Sequence, residues 1–303
     1  MLSNRICDLV TNEVAYVPDG FSYTAILGAN PSAGARSPRL WNAAYDNLGI
    51  PCKMVALDVQ VENLAHLLAT LQSDERFLGG CVAVPYKEAV FRWLNGRVDE
   101  HTFICGAVNS IFRVRSNLIF GSNTDGVGAI ESLESLVGQL YDETVLILGF
   151  GGTAKSIVSY LSCCRPSMSI TVACRNEPTE ALMAGKFTYV QWGDLDSLVE
   201  LRQFDLVINA TSIGYGNQDH FSPLTQKMIK NLTNTRLVFD VVYQPAETTL
   251  LRMCKSSCAT LNGLEMNYRQ AIRAFHNTHG RRSEGREILD LQSVEEAMLS
   301  QLK

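Results

Sequence analysis

The sequence predicts an α/β protein of two domains, each built on a mainly parallel sheet. Three observations predict it. The chain has 303 residues, enough for two domains of ordinary size. Short apolar runs alternate with stretches of helical spacing in two separate blocks. The second block opens on a glycine-rich strand-to-helix turn. The composition, 46% apolar and 19% charged with 22 glycines and 9 prolines, excludes collagen-like and low-complexity chains.

In the first block, Tyr23 to Gly28 (YTAILG), Lys53 to Leu57 (KMVAL) and Gly80 to Val84 (GCVAV) read as strands. Arg39 to Leu48 and Val61 to Gln72 lie between them and read as helices, which gives the βαβ order of a parallel sheet. Ile111 to Arg115 and Leu118 to Gly121, parted by Ser116-Asn117, read as a hairpin that closes the block. A glycine- and serine-containing segment follows. The second block has strands at Val145 to Leu148, Ser169 to Cys174, Leu206 to Ile208, Val238 to Val242 and Ala259 to Leu261, and a helix that starts at Gly152. Asn267 to Thr278 and Ser293 to Leu302 read as helices that return to the first block. The expected domains are residues 1–125, completed by 267–303, and residues 126–266, with a ligand cleft between them.

Charge and cysteine content exclude several function classes. With 26 basic against 31 acidic side chains the net charge is −5, and no Lys/Arg-rich run offers a basic patch for nucleic acid. The longest apolar stretch, Ala154 to Ser162, is interrupted by Lys155 and falls well under the roughly 20 residues of a membrane span. The first twenty residues lack the apolar core of a secretory signal. Nine cysteines without a C-x-x-C pair read as reduced packing residues of a cytoplasmic protein, Cys81 either as a small apolar filler or as a reactive thiol. No metal is expected, because His276 and His279 have no third ligand in the sequence. Ser212 lacks a G-x-S-x-G setting, which excludes a serine hydrolase of that type.

Leu146-Ile147-Leu148-Gly149-Phe150-Gly151-Gly152-Thr153-Ala154 is an apolar strand running into G-x-G-x-x-A and a helix. Gly149 permits the tight turn, Gly151 lets the backbone approach a pyrophosphate, and Ala154 allows close helix packing. The phosphates then meet the positive end of the helix, with Gly152 and Thr153 in its first turn. This predicts a Rossmann-type NAD(P)-binding domain. At the end of the next strand stands Cys174-Arg175-Asn176 rather than an acidic residue. Arg175 suits a 2′-phosphate, so NADP is preferred to NAD, with Glu177 and a solvated strand-end charge as the competing considerations.

In the first block, Pro85-Tyr86-Lys87-Glu88 sets Lys87 at the mouth of the sheet near a helix start, a position suited to an acid or base. Gly106-Ala107-Val108-Asn109-Ser110 and Asn123-Thr124-Asp125-Gly126 set an amide and a carboxylate among small residues at element ends. Read structurally, Asn109 and Asp125 are turn formers that bond their own backbone. Read chemically, Asp125 orients the Lys87 ammonium and helps pass protons.

At these residues the chain resembles the shikimate/quinate dehydrogenase family, closest to its shikimate-dehydrogenase-like branch. The likeness runs from G-A-N-P-S-A-G-A-R-S-P-R-L-W-N at Gly28 to Asn42, through V-P-Y-K, G-A-V-N-S, N-T-D-G and G-F-G-G. It continues through N-A-T-S-I-G at Asn209 to Gly214, D-V-V-Y-Q-P at Asp240 to Pro245 and G-L-E-M-N-Y-R-Q at Gly263 to Gln270. The resemblance implies reversible hydride transfer between a ring hydroxyl of shikimate, quinate or a related cyclic hydroxy acid and nicotinamide, in aromatic amino acid biosynthesis. It implies Lys87 and Asp125 as the catalytic pair, and Asn109 and Gln270 as contacts to substrate hydroxyls. Ser37 and Tyr243 would face the substrate carboxylate, and Asn209, Thr211, Ser212 and Gly263 would line the nicotinamide.

The chain departs from the family pattern in one region. Members typically carry S-x-S-P where this chain has Ala35-Arg36-Ser37-Pro38, and N-V-T-x-P-x-K where it has Cys81-Val82-Ala83-Val84-Pro85-Tyr86-Lys87. Each lost partner to a polar ligand costs about 1 to 3 kcal/mol unless Arg36, Ser32 or another group replaces it. The competing reading is a non-catalytic ligand sensor or regulator on the same scaffold, as a monomer or homodimer.

Overall fold

The computed structural model describes residues 4–179, 181–280 and 291–299. The end of the helix expected at Ser293 to Leu302 lies outside the described residues. The chain divides into two compact units, residues 1–124 with 271–303, and residues 125–270.

The first unit carries a five-stranded sheet of β1 (Ser22–Gly28), β2 (Cys52–Asp58), β3 (Phe77–Val82), β4 (Ser110–Arg115) and β5 (Leu118–Ser122), in the order β2-β1-β3-β4-β5. β1 pairs parallel to β2 and β3, and β4 pairs antiparallel to β3 and β5. The apolar runs are strands because they bury nearly every side chain, with all of β3 buried. β3 begins three residues before the predicted start and ends at Val82 rather than Val84. The reason is local: Tyr86 N–H bonds Ala83 O at 3.1 Å, so the chain turns there, and Pro85 has no N–H for a ladder.

Helix Glu100–Cys105 is an addition to the sequence reading. Asp99 Oδ1 caps it by accepting from Thr102 N–H at 3.0 Å, and Gly106 ends it in the left-handed conformation. Helix Leu291–Leu299 packs on helix Ser37–Asn47. The last turns of helix Leu264–His279 bring Phe275 edge-on to Trp41, with ring centroids 5.1 Å apart, and His279 Nε2 within 3.0 Å of Tyr45 Oη.

The second unit carries a fully parallel sheet of β6 (Thr144–Leu148), β7 (Ser169–Cys174), β8 (Thr188–Gln191), β9 (Leu206–Asn209), β10 (Leu237–Asp240) and β11 (Ala259–Asn262). Its order is β11-β10-β9-β6-β7-β8. The first strand thus sits beside the fourth, the doubly wound arrangement in which ligands bind outside the carboxyl ends of the strands at the reversal point. Alternation along β6 feeds two cores: Val145 and Ile147 join one, Leu146 and Leu148 the other.

β8 and the short helices Leu195–Leu201, Gln226–Asn231 and Thr249–Cys254 add to the sequence reading. β10 ends at Asp240, not Val242, because the Asp240 carboxylate accepts from Val242 N–H at 3.0 Å and turns the chain. The glycine- and serine-containing segment is helix Asp125–Val137. Its glycines are packing residues: a Cβ at Gly126 would stand 2.3 Å from Ser156 O, and one at Gly128 2.8 Å from Gln270 N.

Candidate active site

In the second unit the glycine turn lies at the reversal point of the sheet, between β6 and helix Gly152–Cys164. Gly149 has φ +91, and its N–H bonds Ala173 O at 2.8 Å. A Cβ at Gly149 would meet Thr211 Cγ2 at 2.8 Å, so both conformation and contact require glycine. Gly151 and Gly152 are different. Both are exposed, and a Cβ on either would meet nothing within 4 Å. Free space therefore stands before the first turn of the helix, where its unpaired N–H groups suit a pyrophosphate. Thr153 is half-buried and Ala154 is buried against the sheet. Arg175 is exposed one residue past the carboxyl end of β7.

The neighbouring loop is held by a buried polar network. Asn209 is 0% exposed; its Nδ2 donates to Asp240 Oδ1 at 2.9 Å and to Ile213 O at 3.1 Å. Its Oδ1 accepts from Thr211 N at 3.1 Å and from Thr211 Oγ1 at 2.7 Å. Both amide donors and the amide oxygen of Asn209 are thus spent inside the protein, so it shapes the loop to Gly214, while Ser212 on that loop is exposed. Asp240, also 0% exposed, accepts from Thr248 Oγ1 at 2.7 Å. Burial among uncharged partners raises its carboxyl from 3.8 to about 6. Gly263 has a structural cause of its own, since a Cβ there would stand 2.0 Å from Val241 O. Tyr243 is half-buried on the loop after β10, and Gln270 Nε2 donates to Asn267 O at 3.0 Å.

In the first unit Lys87 is the first residue of helix Lys87–Leu94. Two bonds fix its place: Tyr86 Oη donates to Val59 O at 2.7 Å, and Val108 N–H donates to Lys87 O at 3.0 Å. The second brings the lysine backbone alongside the segment that carries Asn109. Asn109, 4% exposed, bonds residue 124: Oδ1 accepts from Thr124 N at 2.8 Å and Nδ2 donates to Thr124 Oγ1 at 3.0 Å. Asn123 is held in the same way, with Nδ2 on Ala107 O at 3.0 Å and its N–H on Thr102 Oγ1 at 2.7 Å. These bonds set the backbone that leads into Asp125, itself buried at the start of its helix.

The loop after β1 is anchored by Asp58, at the end of β2. Asp58 accepts from Ser32 N at 2.8 Å and from Ser32 Oγ. That hydroxyl is therefore committed to Asp58 and does not replace the one absent at Ala35. Arg36 and Ser37 are half-buried at the start of helix Ser37–Asn47. Cys81 is buried, and Ala83 is half-buried beside an exposed Val84. Asp58 and Thr248 carry these arrangements from outside the motifs read in the sequence, and Asn123 and Asp240 from within N-T-D-G and D-V-V-Y-Q-P, where neither had a role. The signal available was position: Asp58 and Asp240 each end an apolar strand.

Comparison with known proteins identifies the scaffold. The family model for the shikimate dehydrogenase substrate binding domain matches residues 27–111. The shikimate dehydrogenase (NADP(+)) of Streptococcus suis is 33% identical over 275 residues, 86% of this chain and 92% of that protein. This chain belongs to the shikimate dehydrogenase family. The shikimate 5-dehydrogenase of Thermus thermophilus, solved with NADP(H) and shikimate, is similar with a TM-score of 0.74 and 26% identity over 93% of this chain and 100% of that one. The ligand-free 5-ketofructose reductase of a Gluconobacter species is similar with a TM-score of 0.76 and 26% identity, covering 93% of this chain and 99% of that one. The shikimate dehydrogenase scaffold thus accounts for both sheets, and the protein is an oxidoreductase of that family.

Proposed function

We propose that this protein is an NADP-dependent dehydrogenase of the shikimate type, which oxidises a ring hydroxyl of shikimate, quinate or a related cyclic hydroxy acid and runs in reverse. The observation that carries the reading is the free space in front of Gly151 and Gly152 at the reversal point of the doubly wound sheet. Gly149, Gly151, Gly152, Thr153 and Ala154 would hold the pyrophosphate of NADP, and Arg175 its 2′-phosphate; the relatives named for NADP support that choice over NAD. When bound, NADP supplies the hydride acceptor.

The remaining steps belong to the chain. Lys87 takes the proton from the reacting hydroxyl and returns it in the reverse direction. Asp125, which follows the Asn109–Thr124 bonds in the chain, orients the lysine and the reacting hydroxyl and helps pass the proton between them. Asn109 and Gln270 bind the other ring hydroxyls, and Arg36, Ser37 and Tyr243 bind the carboxylate. Asn209, Thr211, Ser212 and Gly263 form the nicotinamide side, with Asn209 acting through the loop it holds.

A second reading, a polyol or ketose without a carboxylate, is favoured by Ala35, Cys81 and Ala83, which offer no hydroxyl or amide, and by the likeness to a 5-ketofructose reductase. The test is nicotinamide reduction with shikimate, quinate and neutral polyols, each with NADP and NAD, with Lys87→Ala as the blank. Turnover of an acid with NADP that disappears in the blank is expected. Turnover of neutral polyols alone would replace the acid by the second reading. NADP binding without turnover of any of them would favour a ligand sensor.

A further inference from the structure

The carboxylate of Asp240 is a buried ionisable group for which the reaction has no use. It ends β10 with 0% exposure, and the groups that face it are uncharged: the Thr248 hydroxyl, the Asn209 amide and the Val242 N–H. A carboxylate withdrawn from water without a cation is costly to the fold, so what it organises needs an account.

Its two oxygens join three segments. Oδ2 takes Thr248, whose own Oγ1 accepts from Leu251 N at 3.4 Å and so caps helix Thr249–Cys254. Oδ1 takes Val242 N–H and thereby bends the loop that carries Tyr243. Oδ1 also takes one amide hydrogen of Asn209, which fixes which end of that amide is oxygen. With the NH2 turned to Asp240 and Ile213 O, the Asn209 oxygen must face Thr211. Thr211 then accepts from Ile213 N at 3.1 Å, and its methyl lies where a Cβ on Gly149 would come within 2.8 Å. A continuous set of contacts therefore runs from Asp240 through Asn209 and Thr211 to the glycine turn.

We infer that Asp240 is a positioning residue for the cofactor-binding edge, which orients the Asn209 amide and so holds Thr211 against the Gly149 turn while bending the loop that bears Tyr243. The inference rests on reading residues 149–154 as the NADP site. An asparagine can do the same work, keeping an oxygen toward Asn209 and Val242 and turning its NH2 to the Thr248 oxygen. Alanine cannot.

The test compares Asp240→Ala, Asp240→Asn and Thr248→Val with Phe204→Leu, a core variant of the same unit outside the network. Amide hydrogen exchange of the cofactor-free protein is read over residues 149–153 and 209–214, and NADPH affinity is read by fluorescence. Exchange about tenfold faster in those segments is expected for Asp240→Ala, a smaller rise for Thr248→Val, and near wild-type values for Asp240→Asn. NADPH affinity should fall in the same order, by about tenfold for Asp240→Ala, while Phe204→Leu lowers the melting temperature and leaves affinity unchanged. Exchange that rises evenly across the unit, or loops that loosen with unchanged NADPH affinity, would overturn the inference. A wild-type protein that does not bind NADPH would sink the cofactor reading, and the exchange data would still decide whether Asp240 orders the two segments.

Discussion

Two strand-to-helix turns in this protein use the same device for opposite ends. Ala83 to Tyr86 after β3 is closed by its own hydrogen bond and delivers a side chain, Lys87, at the first position of a helix. Gly149 to Gly151 after β6 leaves its helix start uncovered and offers backbone N–H groups to open space. The surroundings differ as well. Around the glycine turn a buried polar network of Asn209, Thr211, Asp240 and Thr248 holds the loops. Around the lysine turn, small apolar residues at 35, 81 and 83 stand where the family pattern has hydroxyls and an amide. A turn that offers its backbone N–H groups is restricted by what a Cβ would meet, as at Gly149, whereas a turn that presents side chains can exchange them and keep its fold.

The sharpest way to break this comparison is Lys87→Ala. Loss of turnover by roughly 10²- to 10⁴-fold is expected, with NADPH affinity unchanged by titration. If affinity collapses too, the two turns are not separate devices. Next, Cys81→Asn with Ala83→Thr restores the family pattern and should lower the KM for shikimate by about tenfold or more, from about 1 to 3 kcal/mol for each recovered contact. An unchanged KM for shikimate with a raised KM for a neutral polyol would favour the second substrate class.

On the other turn, Gly149→Ala and Gly151→Ala should separate. The first meets both a positive φ and Thr211, and should cost about 1 to 3 kcal/mol of stability in denaturant melts. The second fills only open space, so its melting temperature should hold while NADP binding weakens.

A pH series sharpens the contrast further. Burial raises the Asp240 carboxyl from 3.8 to about 6, so the folded state holds this proton more tightly than the unfolded one. Its contribution to stability is complete below about pH 4 and is lost as pH rises through about 6. Wild type should therefore lose about 2 to 3 kcal/mol relative to Asp240→Asn between pH 4 and 7. Equal slopes would show that the carboxyl is not raised. The smallest effect is expected from Ser32→Ala, about 1 kcal/mol in a thermal melt, since it removes one bond to Asp58 from a loop that keeps its backbone N–H bond.

Much of the fold was legible because its signals are local. The run SITVAC is a strand from end to end as expected, and Ser116-Asn117 turns the hairpin with Asn117 in the left-handed conformation. Helix Asp125–Val137 was illegible for a physical reason. Gly126 and Gly128 weaken its propensity, and only the approach of Ser156 and Gln270 explains why glycine stands there. The site divides in the same way. The free face of Gly151 and Gly152 follows from the motif, but the bonds of Asn109 to Thr124, fifteen residues along the chain, do not.

The two mainly parallel sheets, the glycine turn, the lysine at a helix start and the family are written in the sequence, because period, turn chemistry and motif order are properties of neighbours along the chain. What the polar residues at the strand ends do depends on the folded arrangement of the segments around them. Asn109, Asn209, Asp58 and Asp240 are all short side chains that suit a turn; Asn209 and Asp240 do take the N–H two residues on, and all four also reach another segment: Thr124, Asp240, Ser32 and, for Asp240, Thr248 with Asn209. A hydrogen bond is set by distance and direction in space, and those are known only once the strands have paired.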